Sequence, residues 1–90
     1  MTMTESRSTI AVERVQTGVR LEKRLLKVLK GLAEIKDLTL GDLLEGIVLH
    51  AFEGKCPFGR DTLRQIAELK KVYGLDLGAD ASHLLKDKAR

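Results

Sequence analysis

The chain has 90 residues, a formal net charge of +3, 43% hydrophobic residues, 32% charged residues and only 3% aromatic residues. One domain of this length buries only about 60–65% of its unfolded surface, so it needs a disulfide, a metal or a second subunit. Cys56 has no second cysteine to bond, and Cys56, His50 and His83 fall short of the roughly four ligands of a structural zinc site, which leaves oligomerisation.

Met1 to Thr9 is rich in Ser and Thr and has no periodicity, so residues 1–10 are expected to form a flexible tail. From Glu13 to Leu21 the pattern has period two. Val15, Thr17, Val19 and Leu21 fall on one side, and Arg14, Gln16, Gly18 and Arg20 on the other. With its β-branched residues, this alternation predicts a strand. After Leu21 the period changes to that of a helix. Leu25, Leu26, Leu29, Leu32 and Ala33 form one face, opposite Lys23, Lys27, Lys30 and Glu34, which predicts a helix from Glu22 to Lys36. Thr39, with Asp42 three residues on, is an N-cap for a second helix ending near Glu53, where Gly54 and Pro57 follow. A third helix is expected from Asp61 or Thr62 to Tyr73, stopped by Gly74, and a short fourth from Ser82 to Lys88.

A lone strand leaves its backbone groups unsatisfied and forms an exposed edge. Pairing with the same strand of a second copy across a two-fold axis would satisfy it. Val15, Thr17, Val19 and Leu21 would then cover the helices, and Arg14, Gln16, Gly18 and Arg20 would face solvent. Charge follows the same division. Arg14 to Lys30 holds six basic residues against one acid, whereas Thr39 to Arg90 holds eight of each. A two-stranded ribbon fits the major groove, where Gln and Arg read base edges, and neighbouring cations attract phosphates.

In this order of elements, in Val19-Arg20-Leu21-Glu22-Lys23-Arg24-Leu25-Leu26 at the strand-to-helix junction, and in the spacing to Thr39, residues 14–53 resemble the ribbon-helix-helix family of MetJ and Arc repressors. The resemblance implies a mostly α fold: a ribbon-helix-helix unit over residues 11–54 with one N-terminal strand pairing across a two-fold dimer, plus a C-terminal helical extension over residues 55–90. It implies a homodimeric, sequence-specific regulator of repressor or antitoxin type. Its base-contacting residues would be Arg14, Gln16 and Arg20. Thr39, Leu40 and Gly41 would clamp a phosphate, and Lys23, Arg24 and Lys27 would steer DNA. Gly18 holds the third base-facing position without a side chain, and Asp42 sits in the clamp. These two residues favour the alternative, a dimeric protein-interaction module of the same fold without DNA binding.

Plainer roles are open beside the sharp ones. Gln16 and Arg20 could be solvated residues of a half-buried strand, and the lysines an ordinary solvated helix face. His50, among apolar neighbours, reads as a partly buried structural histidine. Asp80, Ser82 and His83 are sequence neighbours and not a triad, and Cys56 has no nearby base. No enzyme activity, cofactor or metal is expected. The partners expected are double-stranded DNA, a second copy, higher oligomers on DNA, and a toxin or other protein along residues 60–90. No apolar run approaches about 18 residues, and the first ten residues lack a signal peptide's apolar centre; with one unpaired cysteine, a cytoplasmic location is expected.

Overall fold

A computed structural model describes residues 9–88. Three helices follow one another: α1 (Lys23–Lys36), α2 (Leu40–Phe52) and α3 (Arg60–Tyr73), with one turn of 3-10 helix at Ala79–Ala81. The expected tail lies outside the described residues except for Thr9 and Ile10.

Local signals set the helix ends. Glu22 caps α1, its carboxylate accepting a hydrogen bond from the Leu25 N–H at 2.9 Å. Thr39 caps α2, its hydroxyl accepting from the Asp42 N–H at 3.1 Å. Gly54 and Gly74 take left-handed φ values of 70° and 66° after α2 and α3. Asp37 does the same after α1 at φ 58°, and the Leu38 N–H closes the turn onto Ala33 at 2.9 Å. A Cβ-bearing residue is strained there by about 1 kcal/mol, less for Asp than for most. Asp37→Gly should therefore raise the thermal midpoint by a few degrees, as read by circular dichroism.

α1 lies between the other two helices. α3 runs antiparallel to it: Arg24 meets Gly74 at one end and Phe58 packs against the Leu32 cluster toward the other. Midway, Gly31 lets the helices approach, since a Cβ there would stand 2.9 Å from Leu69 Cδ2. Leu32, Ala33 and Leu43 form the centre of the core, with Leu29, Ile47, Phe58, Ile66 and Leu69 packed around them. Val28 and Leu75 are buried as well. Leu75 seals the end of α3, its N–H bonded to Lys70 O at 2.9 Å.

The ribbon-helix-helix expectation does not hold. Among the described residues there is no strand; residues 9–22 carry no helix, turn or bend. Period-two alternation places side chains on two sides, but a strand also needs a backbone partner, and no described segment supplies one to residues 9–21. The side meant to cover the helices stays in solvent, with Val15 82% and Val19 73% exposed. The fourth helix is absent as well. The 3-10 turn precedes it, and His83 takes φ 67°, which breaks a right-handed helix. The arm of residues 9–22 helps explain a Cα radius of gyration of 15.7 Å, where a compact chain of this length has about 12 Å.

Candidate nucleic-acid interface

Lys23, Lys27 and Lys30 lie at i, i+4 and i+7 on the exposed side of α1. Among the described residues no carboxylate stands within 4.0 Å of any of the three. Like charges at this spacing cost roughly 0.2–0.5 kcal/mol per pair, so the stripe is mildly unfavourable in the isolated chain.

Arg24, expected beside them to steer DNA, is half-buried and already engaged. Its Nε donates to Glu22 at 3.0 Å, and its Nη1 donates to the Gly74 carbonyl and to Asp76, each at 3.0 Å. The Gly74 carbonyl lies at the negative end of α3, where a cation is favoured. Arg24 thus ties the start of α1 to the end of α3. The capping bond from Leu25 is the main reason the Glu22 carboxyl is held below its ordinary value.

Between these helix ends lies an open cleft lined by Glu22, Lys23, Arg24 and Lys27 on α1 and its cap, Val72 and Tyr73 on α3, and Lys88. The Lys27 ammonium stands 5.8 Å from the centre of the Tyr73 ring. Tyr73 and Lys88 are not among the residues that the sequence marks for a site. Sequence spacing assigns Tyr73 only to the apolar face of α3; antiparallel packing onto α1 brings it to Lys27.

The arm carries the three residues expected to touch bases. Gln16 is exposed. Arg20 pairs with Asp87, both largely exposed, so the pair is weak. Arg14 makes a two-pronged contact: its Nε and Nη2 donate to the two oxygens of Glu45 at 2.9 and 2.8 Å, with Asp42 at 3.7 Å, all three side chains being substantially exposed. The hydrogen bond from Arg14 holds the Glu45 carboxyl below its ordinary value of 4.5. A lowered carboxylate value gives stabilisation that is present above 4.5 and lost as the pH falls through the lowered value. Acidification through that lowered value, below 4.5, should therefore release the arm. Glu45→Gln should release it at neutral pH, and backbone 15N order parameters over residues 10–20 should fall below about 0.6 in both cases.

The expected phosphate clamp occupies the first turn of α2. Thr39 and Gly41 are exposed and Leu40 is half-buried. Asp42 stands in the same turn, beside Arg14. α1 is about 21 Å long, so this turn and the Lys23–Lys27 cleft lie at opposite ends of it. The structure therefore brings Lys23, Arg24 and Lys27 together, and Arg14 to the start of α2, but makes no single cluster of all nine residues.

His50 is exposed rather than partly buried. Its Nδ1 lies 2.7 Å from Gly46 O, and a carbonyl only accepts, so Nδ1 carries the proton. Cys56 is exposed in the loop before α3. Among the described residues no three His, Cys, Asp or Glu side chains gather to hold a metal ion, and no helix is long and apolar enough to cross a membrane. In comparisons with protein-family models, with curated proteins and with solved structures, the chain matches none of them.

Proposed function

We propose that this chain is a small DNA-binding regulator that works as a pair of identical copies. The observation that carries the DNA part is the lysine stripe of α1, exposed and without carboxylate partners among the described residues. Duplex phosphates neutralise such a stripe and release condensed counterions, so a stripe that costs the free chain stability becomes favourable on DNA. Gln16 and Arg20, both exposed on the arm, are the candidates for base contact. Arg14 is committed to Glu45.

Pairing of copies is supported by α2. Leu44, Val48, Ala51 and Phe52 repeat at i, i+4, i+7 and i+8 on the side away from Leu43, with Val48 42% and Phe52 83% exposed. This side holds no charge, so packing it against itself desolvates no ion. A chain with so few buried residues gains from a second copy the apolar burial it lacks.

The test is a selection from a genomic DNA library with purified protein, followed by binding of Arg20→Ala to any recovered site. Recovery of a recurring site supports the proposal, and Arg20→Ala should then cost about 1–3 kcal/mol on that site and less on random duplex. Equal weakening on both would remove base reading from Arg20. A second reading, a protein-interaction module without DNA binding, draws on Arg14 and Arg20 both being engaged by carboxylates. No retention of DNA at low salt would favour it.

A further inference from the structure

We infer that the cleft between the start of α1 and the end of α3 is a seat for a backbone phosphate of duplex DNA, so that the C-terminal extension takes part in binding. This rests on the DNA-binding proposal above and adds a place on the protein that α1 alone does not form.

Cations reach the cleft from two parts of the chain: Lys23, Lys27 and Arg24 from α1, with Arg24 tied to the end of α3, and Lys88 from the segment after α3. Among the described residues no carboxylate stands within 4.0 Å of Lys23, Lys27 or Lys88. The one acid lining the cleft, Glu22, is turned to the Leu25 N–H and to Arg24. The cleft is thus lined by three lysines that have no carboxylate partner among the described residues, beside a Glu22 that is already engaged.

The chemistry selects the ligand. Lysine ammonium groups only donate, and phosphate oxygens only accept. The one aromatic ring lining the cleft, Tyr73, already has the Lys27 ammonium 5.8 Å from its centre. What remains is a compact anion with several acceptor oxygens, and on the duplex that is the phosphodiester.

Lys88 separates this inference from the general one, because it lies near the chain end, is exposed, and can be changed without touching the core. The experiment is a fluorescence-anisotropy titration of a random duplex with the full chain, repeated between about 50 and 200 mM salt. The chains compared are wild type, Lys88→Gln, Lys27→Gln and Lys55→Gln. Lys55 serves as the control, since it is paired with Glu53 at 3.2 Å in the loop after α2. Lys88→Gln and Lys27→Gln should each flatten the slope of log affinity against log salt by about 0.9 for every phosphate that the variant leaves unneutralised, and Lys55→Gln should leave the slope unchanged. Wild-type binding with an unchanged slope for Lys88→Gln would overturn the cleft and leave the DNA proposal standing. Failure of wild type to bind duplex at low salt would overturn both.

Discussion

Leu32→Ala should leave the chain largely unfolded at 25 °C, with helical circular dichroism abolished where wild type retains it. Leu32 is only 1% exposed and is the largest fully buried side chain. Leu43 from α2, Ile66 and Leu69 from α3, and Phe58 from the connecting loop all belong to its cluster. Truncating such a leucine costs about 2–5 kcal/mol, because the forfeited transfer energy is joined by the cavity left behind. A domain of this size holds only about 3–5 kcal/mol in total, so one truncation is comparable to the whole. Phe52 is larger but 83% exposed, and its truncation should leave the fold of a single chain within about 0.5 kcal/mol. If copies pair through α2, Phe52→Ala will instead raise the concentration at which they associate, seen by sedimentation over a dilution series.

Replacing Lys23, Lys27 and Lys30 together by Gln should abolish duplex binding at moderate salt. Each lysine that meets a phosphate contributes about 0.9 to the slope of log affinity against log salt. A pair of copies would leave up to about six phosphates unneutralised, flattening the slope by roughly 5. Circular dichroism separates this effect from unfolding, because the relief of like charges at i, i+3 and i, i+4, roughly 0.2–0.5 kcal/mol per pair, is of the same size as the Lys27–Tyr73 contact that the variant loses. The thermal midpoint should stay within a few degrees of wild type while binding disappears. If the triple variant binds with the wild-type salt slope, α1 is not the DNA-facing surface.

The helices are legible in the sequence because their signals are local. Apolar spacing, the Thr39 hydroxyl three residues before Asp42, and glycines at 54 and 74 each act within one turn of the chain. α1 and α2 end within a residue of where these signals place them, and α3 starts one residue before Asp61. The arm departs from its sequence pattern for a different reason. Alternation at Val15, Thr17, Val19 and Leu21 states which residues share a side, but strand formation depends on a partner that the pattern does not encode. Ser82 to Lys88 does not form a helix, and His83 takes a left-handed φ of 67° that a right-handed helix cannot hold. The cleft is legible only in part. The lysines of α1 are visible as a charge excess, whereas Tyr73, Lys88 and the Arg24 clamp come together only when α3 folds back along α1.

The two carboxylate pairs on the arm work in opposite directions. Glu45 fixes Arg14 to α2 and keeps the arm against the body, whereas Asp87 places a negative charge beside Arg20, near the proposed DNA-facing side. The first arrangement gives the arm a defined course. The second is an exposed pair that a phosphate can displace at little cost.

Sedimentation velocity of a labelled duplex with the full chain at low salt tests the central claim most directly, because it reports DNA binding and copy number together. The expected complex has the mass of the duplex plus two chains, or a multiple of two, and it dissociates as salt rises. A duplex that sediments unchanged, or a complex that holds a single chain at saturation, contradicts a paired DNA-binding protein.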